Sequence, residues 1–390
     1  MKICIWTTSF QADTLALAIA VDQDPSIELV VVTNNKAAFV SEPIFRVKPL
    51  SCVILDRDID DYESVVKKFR PDIVYADNHI PPFSIPKNFL YHWHGLPLKI
   101  RPAKDLRAFH RRASRLIGDT KKPNPRFLAQ CYGKLDFDHR VNKWHLPAEN
   151  CRIWGSAFSD LLLSPPYQKK DLESYFNLDL EHRKTILLSI SWYFGENVFG
   201  VLGDNDEIFN NIIQAANELD ANIIFSLHDK YRYSAAFISK IENYAGRCSH
   251  SFIKYKSEHV DNLADLIASD VMICNFSSFI VFHYFTGKPS IHILPVDSSK
   301  AFVSMPTIKK KQISSLWRRN NKNLWIYPFS ENGGLVPEDG KALIEDLQLA
   351  LSNPAYGKNN ADRFIQDRIH LPNGQTCQRI ISDLKDWVQA

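Results

Sequence analysis

The sequence predicts an α/β protein made of two doubly wound, Rossmann-like domains. Three observations carry this reading. Short apolar runs alternate with segments of helical period. The runs are continuously apolar, as expected for parallel strands covered on both faces. The pattern restarts after about residue 156, in a chain of 390 residues, which is long enough for two or three ordinary domains.

Taken in order, residues 2–6 read as a first buried strand and 15–21 as helix. LVVVT at 29–33 is a strand bounded by Asn34-Asn35, two turn-forming residues. An amphipathic helix at 60–69 ends before Pro71, and DIVYA at 72–76 is the next strand. Residues 89–92 form a short strand that runs into His-Gly-Leu-Pro-Leu-Lys. In the second half, 170–176 is helix and TILLSIS at 185–191 is a strand. Helix 208–219 then precedes strand 222–227, which ends at His228. Helix 260–268, strand 271–275, helix 277–285 and strand 289–293 follow. A polar, basic and irregular stretch occupies 297–323, and helices at 341–351 and 375–388 close the chain. The expected divisions are 1–156, 157–372 and a terminal helix, 373–390, packing back on the N-terminal domain.

Composition removes several function classes. Apolar residues make up 45% and charged residues 23%, a globular balance. Only 14 residues are glycine, about half the usual share. Neither G-x-G-x-x-G nor G-x-x-x-x-G-K-[ST] occurs, so any phosphate is held without a glycine-rich loop. Seven scattered cysteines include no C-x-x-C pair, which points away from a disulfide framework or zinc site and toward a reducing cytoplasm. The N-terminus reads as a strand rather than a signal peptide, and no apolar stretch is long enough to span a membrane.

Charge is uneven although the net value is only +3. Between Lys99 and Arg126 stand ten Lys/Arg, Arg111 and Arg112 among them, against two Asp. A second run holds Lys309, Lys310, Lys311, Arg318, Arg319 and Lys322 with no acid between its ends. Such runs are either solvated faces or a landing surface for a polyanion or anionic lipid headgroups. No helix-turn-helix, RRM or zinc signature accompanies them, so nucleic acid is not the expected partner.

In open parallel sheets, ligands bind beyond the carboxyl ends of the strands. Three such ends carry chemistry. At Tyr91-His92-Trp93-His94-Gly95, His94 is positioned as a general base, since an imidazole is largely neutral yet basic near pH 7. His92 and His94 share a face, but no third metal ligand is evident. His228 stands at the second end, where a lone histidine is often structural. At the third, Asn275-Phe276-Ser277-Ser278, Ser277 reads as a helix N-cap. The hydroxyls and free N–H groups there also suit an anion such as a pyrophosphate.

Together these residues resemble the CDP-glycerol glycerophosphotransferases, the teichoic-acid primases and polymerases. The stretch from His92 through Trp93, His94, Gly95, Leu96, Pro97 and Leu98 to Lys99 resembles that family's W-H-G-x-P-L-K motif, the most specific piece. Trp154-Gly155-Ser156-Ala157-Phe158-Ser159-Asp160 is loosely similar to G-x-P-R-N-D-x-L. Residues 185–192 sit where the family has I-L-Y-A-P-T-[WY], and Leu227-His228 is similar to L-R-x-H-P. Residues 269–278 followed by Gly287-Lys288-Pro289 resemble S-D-V-L-I-T-D-Y-S-S and a K-P strand. Asn373-Gly374-Gln375-Thr376-Cys377-Gln378-Arg379-Ile380 is similar to D-G-x-A-S-E-R-I.

The resemblance implies a GT-B fold, with an acceptor domain, a nucleotide-donor domain and the site in a cleft between them. It implies metal-independent transfer of an alditol phosphate from a CDP-linked donor to a polymer or lipid-linked acceptor, releasing CMP, without a cofactor. His94 and His228 match the family's catalytic histidines. Ser277 and Ser278 match its hydroxyl pair near the donor, with Asn275, Gly95 and Lys288 as further donor contacts. The basic runs would face the acceptor or an anionic membrane. Departures are local: Asn275-Phe276 replaces Asp-Tyr, His228-Asp229 replaces His-Pro, and Phe282 stands where a carboxylate is usual. A GT-B glycosyltransferase using a nucleotide sugar and a non-catalytic nucleotide-binding scaffold are the alternative readings.

Overall fold

The computed structural model describes residues 1–389 except 9, 78, 94, 99–102, 192–195, 276 and 294–330. The chain forms two compact units. The first comprises Met1–Pro97, Arg101–Pro166 and Gln366–Ala390, the second Leu98–Ile100 and Tyr167–Ile365.

The first unit is built on seven parallel strands: β1 (Lys2–Trp6), β2 (Glu28–Thr33), β3 (Val53–Asp56), β4 (Ile73–Asp77), β5 (Asn88–His92), β6 (Phe127–Cys131) and β7 (Cys151–Ile153). Their order is β3-β2-β1-β4-β5-β6-β7, so the winding reverses between β1 and β4. Register places Ile3 beside Ile73 and Ile5 beside Tyr75. One face of the sheet packs Trp6, Phe89, Tyr91 and Phe127 against Phe109, Ala113 and Ile117 of the helix Ala103–Ile117. Much of the first basic run is therefore the outer side of an amphipathic helix, with Arg111 and Arg112 exposed and the apolar stripe inward.

The helix Ala12–Asp22 is apolar on nearly every side because it is covered twice, by the helices Phe158–Leu163 and Thr376–Gln389. That packing corrects the expected boundaries. Residues 157–166 and 366–372, assigned to the second domain on sequence, belong to the first unit. The Phe158 N–H donates to Asp13 at 2.8 Å, and the His370 N–H donates to the Tyr132 carbonyl at 2.8 Å. Gly155 is held at φ +92°, and a Cβ there would lie 2.4 Å from the His370 carbonyl, so no side chain fits. Asp160 accepts the Thr376 and Cys377 N–H groups at 3.1 and 2.7 Å, capping the terminal helix with a negative charge. Trp154 Nε1 donates to Asp383 at 2.6 Å, and Lys385 pairs with Asp24 at 2.6 Å. Two of the weaker resemblance segments are thus joined to each other as a structural joint.

The second unit has five parallel strands: β8 (Thr185–Ile190), β9 (Asn222–Leu227), β10 (Ser251–Tyr255), β11 (Val271–Asn275) and β12 (Ser290–Ile293). Their order is β10-β9-β8-β11-β12, with the reversal between β8 and β11. The helices Asn205–Glu218, Ala235–Gly246 and Gly340–Ser352 supply Ile208, Ile212, Ile241, Leu343 and Leu347 to one core with β8 and β9. Both sheets are the doubly wound α/β arrangement, and the chain has the GT-B constitution of two Rossmann-like units.

Two histidines are buried as neutral rings in the second unit. His283 bonds the Ser290 hydroxyl at 2.7 Å and the Ser269 hydroxyl at 3.2 Å, and burial pushes its pKa well below the usual range. His292 pairs with the Tyr284 hydroxyl and is pushed down to about 3 by burial. The unfolded chain binds protons at these sites below about pH 6.5, whereas the folded chain does not. Their stabilising effect is present above that pH and is lost as pH falls toward the folded values. Acidification from pH 6.5 to 5 is expected to cost about 2 kcal/mol for each histidine. Urea midpoints at pH 7 and 5 check this: the wild-type midpoint falls on acidification, and the fall is smaller in His283→Asn.

Candidate active site

Polar side chains stand at the carboxyl ends of strands in both units. In the first, β5 ends at His92 and leads into Trp93 and Gly95. Gly95 has φ +114°, a conformation that side chains rarely adopt. Its N–H donates to the Tyr132 hydroxyl at 2.8 Å, so the structure commits this group within the protein. Tyr132 follows β6 and is 1% exposed. Its Oη also lies 2.6 Å from Asp13 Oδ2, 3.0 Å from the Trp93 carbonyl oxygen and 3.4 Å from His92 Nε2. Asp13 Oδ1 accepts the Ser156 hydroxyl at 2.7 Å as well as the Phe158 N–H. Burial raises the Asp13 pKa against those hydrogen bonds. The sequence reading did not select Asp13 or Tyr132. A lone Asp near the start of the apolar run ADTLALAIAV was the available signal.

The second unit brings three strand ends to one edge of its sheet. β9 is followed by His228, β8 by Ser191, and β11 by Ser277 and Ser278, with β8 lying between β9 and β11. Tyr233 ties the first two: its hydroxyl accepts the His228 N–H at 3.0 Å and donates to the Ile190 carbonyl at 3.1 Å. Asn275 ties β11 to the segment after β8, accepting the Ser191 N–H at 2.5 Å and donating to the Val198 carbonyl at 3.3 Å. Asn275 was expected to touch the donor. Fully buried and engaged at both ends of its amide, it is instead a joint that shapes this edge. Where the resembled motif has a carboxylate, an amide can both accept and donate, and this joint uses both.

His228 Nδ1 lies 2.8 Å from the Asp229 N–H and 2.9 Å from its carboxylate. Burial pushes the imidazole down to about 4, while the neighbouring His228 and Lys256 help hold Asp229 at about 2 against its own desolvation. The ring is therefore neutral near pH 7. Lys256, whose N–H donates to the Leu227 carbonyl at 3.0 Å, and Arg232, 3.6 Å from Asp229, add positive charge near His228. Arg232 closes the stretch 228–232 that the sequence marks as a strand end, whereas Lys256 follows β10 and reaches His228 only through the sheet.

The helix after β11 runs from Phe279 to Tyr284, two residues later than expected. Ser278 rather than Ser277 holds the N-cap position, and the Ser277 hydroxyl accepts the Phe279 N–H at 3.2 Å. Lys288 is a clear correction. It enters β12 and so stands at the opposite, amino-terminal edge of the sheet from His228 and Ser277. Its ammonium donates to the carbonyls of Leu266, Ile267 and Ser269 at 3.3, 3.1 and 2.6 Å, capping the helix Asn262–Ala268. Burial lowers its pKa to about 8. Lys288 is a structural cation, not a donor contact at the strand-end site.

His94 lies outside the described residues, between Trp93 and Gly95, as do Lys309, Lys310, Lys311, Arg318 and Arg319. Among the described residues no group of three His, Cys, Asp or Glu could hold a metal ion, and no helix is long and apolar enough to cross a membrane.

Two doubly wound, Rossmann-like parallel sheets in one chain are the constitution of the GT-B fold class. Solved structures of that class match over the whole chain. The wall teichoic acid polymerase TagF is similar with a TM-score of 0.66 and 15% identity, covering 100% of this chain and 89% of that one. The UDP-GlcNAc 2-epimerase of Neisseria meningitidis, bound to UDP-GlcNAc, has a TM-score of 0.57 at 13% identity, covering 99% of this chain and 100% of its own. Anabaena HepE, in complex with UDP and glucose, has a TM-score of 0.55 at 13% identity, with 99% and 100% covered. At these identities the likeness establishes the fold. No protein-family model matches the sequence, and no curated protein matches it in sequence.

Proposed function

We propose that this protein transfers an alditol phosphate, glycerol or ribitol phosphate, from a CDP-linked donor to a hydroxyl of a surface polymer or glycolipid, releasing CMP. The observation that carries this reading is the placement of the W-H-G-x-P-L-K-like stretch. It leaves the C-terminal end of β5 in a fold like that of a teichoic acid polymerase. In the proposed reaction His94 takes the proton of the acceptor hydroxyl, which attacks the phosphorus bearing the alditol. The bond from that phosphorus to the CMP oxygen breaks in line. Charge on the transferring group and on CMP falls to His228 and the Ser277 and Ser278 hydroxyls. Binding of the diphosphate would raise the His228 pKa from about 4, the direction that favours positive charge beside the donor.

Acceptor binding is assigned to the basic runs, which would hold a polyanionic polymer or rest on the anionic inner face of a membrane. Reversing the charge of Lys309, Lys310 and Lys311 is expected to weaken binding to anionic vesicles or polymer, with the difference shrinking as salt rises. Equal binding at low salt would mark the run as a solvated surface.

A nucleotide-sugar transferase is the second reading, favoured by the likeness to the UDP-GlcNAc epimerase and to HepE with UDP and glucose. Incubation with a panel of CDP-alditols, CMP-sugars and UDP-sugars separates the two. CMP release from a CDP-alditol alone is expected; turnover with a sugar donor alone would replace the first reading by the second.

A further inference from the structure

The polar cluster behind β5 has a feature that burial alone does not require. Tyr132 Oη meets the peptide groups on both sides of residue 94: the Trp93 carbonyl at 3.0 Å and the Gly95 N–H at 2.8 Å. Those two groups also bond each other at 2.9 Å. Behind the hydroxyl stands Asp13, 2% exposed and fixed through its other oxygen by Ser156 and Phe158. A phenol at the end of a strand therefore grips one tight turn, and a buried carboxyl grips the phenol.

Building on the proposed function, we infer that Tyr132 is the positioning residue for the turn that carries His94, and that Asp13 in turn positions Tyr132. The hydrogen-bond pattern supports this arrangement. The Tyr132 hydroxyl accepts from Gly95 and can give its one proton to Asp13 Oδ2 or to the Trp93 carbonyl. Asp13 Oδ1 accepts from Ser156 and Phe158, which fixes the carboxyl behind the phenol.

Positioning of a general base governs the chemical step rather than donor affinity. Tyr132→Phe removes only the hydroxyl. It is expected to lower kcat for CMP release by about tenfold to a hundredfold, leaving donor KM within about twofold. Amide exchange in the peptide covering 92–98, followed by mass spectrometry, should quicken by about tenfold in the same variant. Asn at position 13 can donate to Tyr132 and still accept from Ser156 and Phe158, so it keeps the phenol held. Asp13→Asn should therefore exchange like wild type, whereas Asp13→Ala should exchange like Tyr132→Phe.

Tyr132→Phe with unchanged kcat, or with unchanged exchange at 92–98, overturns the role of Tyr132. A change confined to donor KM overturns it too. Asp13→Asn exchanging as fast as Asp13→Ala overturns the positioning of Tyr132 by residue 13. If the wild-type protein releases no CMP from any donor, the proposed function fails by itself. Exchange at 92–98 then still decides whether Tyr132 holds the turn.

Discussion

His94→Ala is expected to lower CMP release from the CDP-linked donor by ~10²–10⁴, with thermal melting unchanged. The size follows from what a positioned base supplies: proton transfer from the acceptor hydroxyl as the phosphorus–oxygen bond forms. The residue type fits, because an unperturbed imidazole is neutral near pH 7 and close to the operating pH in basicity. The fold is expected to persist, since the Trp93 and Gly95 bonds to Tyr132 do not need the imidazole. Donor KM should change little, because the groups proposed to hold the diphosphate are His228, Ser277 and Ser278. Turnover near the wild-type rate in His94→Ala would remove histidine 94 from the mechanism, whatever the fate of the rest of the proposal.

Lys254→Met should be the most damaging single change to stability, at about 3–5 kcal/mol near pH 8. Lys254 and Asp265 are 3% and 2% exposed and pair at 2.6 Å. The lysine also donates to the Asp261 carbonyl, and Ser226 donates to Asp265 at 3.2 Å. Burial holds the Asp265 pKa at about 6 even with the ammonium beside it. Without Lys254 the folded pKa climbs further, while the unfolded carboxyl titrates near ~3.9. A carboxyl whose folded pKa is raised is most favourable to folding below the unfolded value, and that advantage disappears as pH rises through the folded one. The deficit of Lys254→Met should therefore be small at pH 5 and large at pH 8. Pairing it with Asp265→Leu should recover most of the loss, because no buried charge is then left alone. Urea midpoints for the single and double variants at both pH values measure this. A single variant equally stable at pH 5 and 8 would contradict it.

These two residues illustrate what the sequence could and could not reveal. Strands buried on both faces, such as TILLSI of β8 and NIIFSL of β9, are legible because three or more consecutive apolar residues stand out even beside a small serine. β10, SFIKY, escaped notice because its inward Lys254 looks like a solvent residue until Asp265 is brought beneath it by the following helix. β6, FLAQC, hides a buried Gln130 whose amide donates to the Gly155 carbonyl, and β3 and β7 are short strands at the two edges of the sheet.

The candidate site divides in the same way. Histidine and serine at strand ends were legible because topology puts the ends of all parallel strands on one edge. Lys288 was misplaced although its position was readable: a residue entering a strand lies at the other edge from one leaving it. Asn275 looked like a ligand contact because its partners, Ser191 and Val198, are about eighty residues away in sequence. Asp13 and Tyr132 are separated by 119 residues, and no local pattern links them.

The central claim is that phosphate moves with the alditol. It is tested most directly with a CDP-alditol radiolabelled at the phosphate bearing the alditol, incubated with protein and a hydroxyl acceptor. Unlabelled CMP and an acceptor that carries the label in a new phosphodiester are expected. Label that stays on the nucleotide while the alditol or a sugar is transferred would contradict it.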